Sequence, residues 1–377
     1  MIDFLKRAKR ILSKTIGRQK LDTLIFFVTG KCNSRCQNCF YWQRLNQTQD
    51  FSLNRIKEIV KTMPKFNNLL ISGGEPFLRN DLPDIISLFK KYSYVQSVSI
   101  PTNALLPDEI FKIIKEILEK NTDLDRIYLN ISLDGNEIQH DKIRGVPGNF
   151  QKVILLINKL QELRVKYNNF FVQINTVIYR QNYNDILSLA NFLLKNVEVD
   201  GHFFEISRGD LQDNQEKKIP AKDLKDLYNK IMLIHKKYLS KQQLRLDVKG
   251  IKKIRFTQSY LGNLIYTYQN QYLNYTKNKK WPCPCQAGQS IIVMEHDGNL
   301  KACELRKEIG NIKDFNFNFG KFLSSFKLKK EIAQIRKNKC FCTHVCFLMT
   351  SALHSWKSFF GIIPFAYLKY KLLKKIL

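Results

Sequence analysis

The sequence predicts an α/β protein, a partial (β/α)6 TIM-like barrel followed by a small C-terminal cysteine-rich α+β module. Three observations lead to that class. Between residues 22 and 206 short apolar runs alternate with amphipathic stretches, which implies parallel strands joined by helical crossovers. Six such units fall short of the eight that close a full barrel. The nine cysteines fall in two groups, three at Cys32, Cys36 and Cys39 and six between Cys283 and Cys346.

Taken in order, the predicted strands are Leu24–Val28, Asn68–Ser72, Val95–Ile100, Arg126–Leu133, Phe170–Val177 and His202–Ile206. Helical periodicity occupies Leu53–Met63, Leu82–Tyr92, Pro107–Glu119, Phe150–Leu163 and Tyr183–Lys195, where apolar residues such as Ile56, Ile59, Val60 and Met63 recur three or four apart. Residues 207–280 form a polar, basic bridge with helices expected at Ala221–Leu239 and near Gly262–Asn274. The cysteine-rich module is expected at 281–349, with a hairpin of Ser290–Glu295 and Leu300–Cys303 turning at His296-Asp297-Gly298-Asn299. A basic amphipathic segment (1–21) and a basic, hydrophobic tail (350–377) flank these units. Each end could pack on the barrel or lie flat on an anionic membrane surface.

With 377 residues, 44% of them hydrophobic, the chain can bury a large core. An odd number of tightly spaced cysteines and no secretory signal argue against a disulfide framework and for reduced thiols in the cytoplasm. The net charge of +29 favours anionic partners, but no nucleic-acid motif accompanies it and no specific nucleic acid is expected.

Cys32-x3-Cys36-x2-Cys39 directly follows the first predicted strand, on the rim where parallel barrels place their chemistry. Three thiolates can hold three irons of a 4Fe–4S cube and leave the fourth open; zinc is the rival occupant. Gly73-Gly74-Glu75-Pro76 follows the second strand, where glycines admit a ligand to the backbone and a carboxylate can meet an ammonium. Pro101-Thr102-Asn103 follows the third strand and Ser132-Leu133-Asp134-Gly135 the fourth, with Arg144 beyond; Asn175 lies in the fifth.

In that order, these motifs resemble the radical S-adenosylmethionine (SAM) superfamily over residues 22–206. The resemblance implies a SAM-binding 4Fe–4S cluster on Cys32, Cys36 and Cys39, whose open iron chelates SAM. It implies reductive cleavage to a 5′-deoxyadenosyl radical, which takes hydrogen from a peptide or small-molecule substrate. It implies SAM contacts from Gly73, Gly74, Glu75, Asn103, Ser132 and Arg144, and a low-potential electron donor such as flavodoxin or ferredoxin. The chain departs from the family's usual pattern at Asn38, where an aromatic residue is common, and at Ala104, where glycine is common.

Cys285, Gly298 and Cys303, then Cys340, Cys342 and Cys346, resemble the SPASM or Twitch extension of that superfamily. This implies one auxiliary 4Fe–4S cluster on Cys285, Cys303, Cys346 and one of Cys340 or Cys342, Cys342 being preferred and Cys283 a competitor. Glu304, next to Cys303, is the candidate general base. Two other readings are a zinc-stabilised basic nucleic-acid-binding protein and a radical SAM enzyme at the inner membrane face acting on lipid-linked material.

Overall fold

The computed structural model describes residues 21–47, 49–246, 267–276 and 283–355, with four single positions beyond them. The basic N-terminal segment and most of the C-terminal tail lie outside the described residues, as does the first part of the helix expected near Gly262.

Six strands, β1 (Thr23–Thr29), β2 (Asn68–Gly73), β3 (Ser97–Thr102), β4 (Arg126–Ser132), β5 (Phe170–Ile178) and β6 (Gly201–Ile206), lie side by side in chain order. Every adjacent pair is parallel, and the sheet is open. The crossovers carry α1 (Leu53–Lys61), α2 (Leu82–Ser93), α3 (Pro107–Lys120), α4 (Glu137–Arg144), α5 (Asn149–Lys166) and α6 (Ile186–Asn196). All but α4 were legible as apolar periodicity. Helix α4 is short and polar, about two turns long, capped by the Asn136 side chain and ended by Gly145 at φ 64°. The long α7 (Ala221–Arg245) and a helix at 267–275 follow.

Alternation along each strand separates two cores. Leu24, Phe26 and Val28 of β1 join Ile56, Ile59 and Phe89 in the large core beneath the helices. Ile25 and Phe27 face the barrel interior and pack with Tyr41, Ile291, Val293, Cys285 and Cys303. That second cluster exists because the cysteine-rich region continues the barrel's own sheet. Strand β7 (Ile291–Met294) pairs in parallel with β1, Thr23 opposite Ile291 and Phe26 opposite Met294. The hairpin to β8 (Asn299–Lys301) and the short β9 (Gly310–Asn311) complete one sheet in the order β6-β5-β4-β3-β2-β1-β7-β8-β9. Three helices follow, α9 (Phe319–Ser324), α10 (Phe326–Lys337) and α11 (Val345–Leu353), the 267–275 helix counting as α8. Among the described residues no helix is long and apolar enough to cross a membrane.

Candidate active site

The loop leaving β1 is held on several sides. Asp50 accepts from the Thr29 hydroxyl (2.6 Å) and the Gly30 amide (2.8 Å). The Asn46 side chain both accepts from the Cys32 amide (3.0 Å) and donates to its carbonyl (3.2 Å). The Arg35 and Gln37 amides donate to the carbonyls of Arg144 and Ile143 at the end of α4. So anchored, Cys32, Cys36 and Cys39 present free, half-buried thiols. Burial first, then the nearby cysteines, pushes Cys32 up to about 12 and Cys39 up to about 11. Burial leaves the Cys32 and Cys39 thiolates short of the positive charge they need, which iron supplies. The donor set fits the cluster.

The β2 loop presses against this one. A Cβ on Gly74 would stand 2.0 Å from the Lys31 carbonyl oxygen, and one on Gly73, which sits at φ 134°, would stand 2.4 Å from the Thr29 carbonyl oxygen. Glycine is required at both positions. Glu75 is buried, and its carboxylate accepts from the Phe77 amide (3.2 Å), the Thr102 hydroxyl (2.9 Å) and the Asn103 amide (2.7 Å). Burial outweighs these bonds and raises it to about 7. A buried carboxylate so displaced gains from a cation, and an ammonium fits. Asn103 also donates to the Asn33 side chain in the cysteine loop (2.8 Å). Ala104 adopts the left-handed conformation at φ 61°, which explains why glycine is the common residue there.

Ser132 ends β4 opposite Asn175 of β5. Asp134 beyond it pairs with Arg144 (2.7 Å), whose Nη1 lies 3.6 Å from the Cys36 sulfur and whose buried Nε has no partner among the described residues. The Asn38 side chain donates to the same Asp134 (3.1 Å), so the residue standing in for the family's aromatic ties the cysteine loop to β4. His140 accepts the Asp134 amide at Nδ1 (3.1 Å).

The C-terminal thiols pack around Ile25 and Phe27, on the same face of β1 as Cys39. Cys285 shares a hydrogen bond with Cys340, and Cys303 lies in the field of Cys342 and Cys340. The hydrogen bond from Cys285, and after it Arg306, make Cys340 the more acidic of the pair, drawn down to about 6. Cys346 faces Glu304, Glu205 and Arg208, and burial pushes it up to about 12. Of the two candidates for the fourth thiol, Cys340 is the one hydrogen-bonded to Cys285. Among the described residues, no three His, Cys, Asp or Glu side chains converge tightly enough to hold a single ion.

Glu304 does not suit a general base. Its buried Oε2 accepts from His344 Nε2 (2.6 Å) and from Arg208 (3.3 Å). Burial alone would raise it, but His344 and Arg208 overcome burial and hold it at about 2. Arg208 had no sequence signal: it follows β6 outside every motif. Arg44, equally unmarked, joins the cysteine loop to the hairpin through Glu295, Asp297 and Glu308 at 3.1, 2.6 and 3.1 Å.

An open parallel sheet with cysteines, glycines, a buried carboxylate and a paired arginine along its carboxyl rim defines an enzyme of the partial-barrel iron–sulfur class. Comparison makes the assignment specific. Residues 26–193 match the radical SAM superfamily, and the chain belongs to it. It is 31% identical over 244 residues to a probable GTP 3′,8-cyclase of Methanococcus aeolicus, covering 60% of this chain and 76% of that protein. It is 26% identical to the Fe-coproporphyrin III synthase of Methanosarcina barkeri, covering 47% of this chain and 42% of that one. Among solved structures, anSMEcpe with bound AdoMet aligns with a TM-score of 0.57 at 17% identity, covering 85% and 86% of the two chains. Streptococcus suis SuiB bound to the precursor peptide SuiA aligns at 0.52 and 16% identity, covering 88% of this chain and 71% of that chain. The protein is a radical SAM enzyme that uses a 4Fe–4S cluster and SAM.

Proposed function

We propose that the chain uses two iron–sulfur centres facing one barrel interior to abstract hydrogen from a peptide. The observation that carries this reading is the placement of the two thiol groups: Cys39, at the end of the first cysteine loop, and the C-terminal cysteines share one cluster around Ile25 and Phe27. Cys32, Cys36 and Cys39 would hold the SAM-binding cluster; Cys285, Cys303, Cys346 and Cys342 or Cys340 the auxiliary one. When bound, the first cluster and SAM supply a 5′-deoxyadenosyl radical.

The chain's own residues do the rest. Glu75 offers its buried carboxylate to the SAM ammonium while the Gly73–Gly74 backbone admits the ligand. The unpartnered Nε of Arg144 is available to the SAM carboxylate, with Ser132 and Asn103 on the same rim. Tyr41, Phe27 and Ile25 exclude water from the space between the thiol groups.

Strand alternation turns Asn130, Ser132, Gln173 and Asn175 toward the interior, because Leu129, Ile131, Val172 and Ile174 belong to the outer core. Neutral amides and hydroxyls suit a peptide better than a triphosphate, which calls for clustered cations. Residues 22–206 form the SAM-binding unit on this reading, 207–280 the bridge and 281–349 the auxiliary unit. Electrons arrive from a reductant such as flavodoxin or ferredoxin.

Metal analysis of anaerobically reconstituted protein tests the two-centre reading: roughly eight irons per chain are expected for two 4Fe–4S clusters. Replacing Cys285 and Cys303 by Ala should halve that number. Zinc at the C-terminal thiols would overturn it. The second reading, favoured by the 31% identity to a probable GTP 3′,8-cyclase, is cyclisation of GTP. Consumption of GTP with SAM and reductant would establish that reading and displace the peptide.

A further inference from the structure

We propose that Arg208 is a positioning residue that joins the two cysteine centres and sets the reduction potential of the C-terminal one. This rests on the reading that the C-terminal thiols carry a cluster.

The side chain is 14% exposed and wedged between the two thiol-bearing segments. On one side its guanidinium lies over the Phe40 ring, 4.7 Å from the centroid, and Phe40 directly follows Cys39. On the other it meets Glu304 Oε2 at 3.3 Å, and Glu304 directly follows Cys303. A third bond, to Glu205 Oε2 at 2.5 Å, fixes it to β6, and His344 holds the same Glu304 oxygen. The next residue, Gly209, has φ 71°, and a Cβ there would stand 2.8 Å from the Phe40 Cβ. The glycine lets this loop reach the first cysteine segment. A guanidinium provides the flat face and forked donors that such a wedge needs; an ammonium does not.

The two centres feel this residue unequally. On the C-terminal side Arg208 pairs with Glu304 beside Cys303 at 3.3 Å, whereas on the SAM side Arg144 Nη1 stands 3.6 Å from the Cys36 sulfur. Each thiol group thus has its own buried arginine. A fixed positive charge favours the more negative, reduced form of a cluster, and net charge is one of the terms that set cluster potentials. Glu304 opposes Arg208 at the same place. The pair therefore balances the potential of one centre and leaves the other alone.

The test is a redox titration followed by EPR on the full, reconstituted chain, with iron counted for each variant. In Arg208→Gln the auxiliary signal should need a lower potential. At fixed potential its reduced-to-oxidised ratio should fall about tenfold, equivalent to about 59 mV for one electron. The signal of the SAM-side cluster should not move. Glu304→Gln should shift the auxiliary signal the opposite way, the double variant should return close to the parent, and Arg208→Lys should retain most of the potential. If Arg208→Gln proves insoluble, the double variant, which buries neither charge, is compared with Glu304→Gln instead. Full iron with an unmoved auxiliary potential would overturn the proposal, as would equal shifts at both centres. Iron for one cluster only in the parent chain would remove the second centre itself, an outcome that the count tells apart from the others.

Discussion

Lowering the pH from 7.5 to 5 is expected to cost the chain about 2 kcal/mol through His140 alone. This ring is fully buried; Nδ1 accepts the Asp134 amide at 3.1 Å, and Nε2 faces Asn149 Oδ1 at 3.1 Å, so the neutral imidazole satisfies both neighbours. Burial, and then the positive charge of Arg144, lower its pKa from 6.5 to about 4. A base depressed in the folded state contributes stability that is complete above the unfolded value near 6.5. That stability is lost as pH falls toward 4, because the unfolded chain takes up the proton first. The 2.5-unit gap corresponds to about 3 kcal/mol in full, of which about 2 is lost by pH 5. Protonation also puts a hydrogen where the Asp134 amide donates, so the Asp134–Arg144 pair loosens with it. Urea unfolding of the parent chain and of His140→Gln at pH 7.5, 6 and 5 measures the effect. Glutamine can accept and donate as the neutral ring does, without titrating. The stability difference between the two should close by about 2 kcal/mol over that range. A difference that stays constant would refute the reasoning.

Three other outcomes follow from the same geometry. Gly74→Ala should abolish SAM binding in a calorimetric titration, because its Cβ would sit 2.0 Å from the Lys31 carbonyl and force the two loops apart. Arg44→Ala should lower the free energy of unfolding in a urea titration by about 1–2 kcal/mol, since Glu295 keeps only Lys301 while Asp297 and Glu308 are partly solvated. A chain ending at Lys280 should fail to give a soluble, cooperatively unfolding protein, because the β1 edge opposite Ile291–Met294 would be bare and Ile25 and Phe27 exposed.

Local chemistry is what the sequence wrote most legibly. The six strands declared themselves as short apolar runs and most crossovers as apolar periods of three to four, since each buries its own apolar surface. The rim motifs were equally plain, because cysteine, glycine and aspartate at strand ends have few structural substitutes. Long-range pairing was not legible. Nothing in Ile291–Met294 says that it pairs in parallel with Thr23–Phe26 rather than opening a separate unit, for the pairing joins segments remote in sequence. Helix α4 lacked an apolar stripe because it is short and its ends are set by Asn136 and Gly145. Arg208 and Arg44 were hidden for a related reason: an arginine acquires meaning from the carboxylates that the fold brings to it. Glu304 illustrates the converse, since its place beside Cys303 suggested a base and its partners Arg208 and His344 make it an anchor.

The account rests on the Cys32–Cys39 loop delivering an electron to SAM. The direct measurement is chromatographic quantification of 5′-deoxyadenosine after anaerobic reconstitution and addition of dithionite and SAM, for the parent chain and for Cys36→Ala. The parent should form 5′-deoxyadenosine and the variant none. Equal product from both would contradict the assignment of the site.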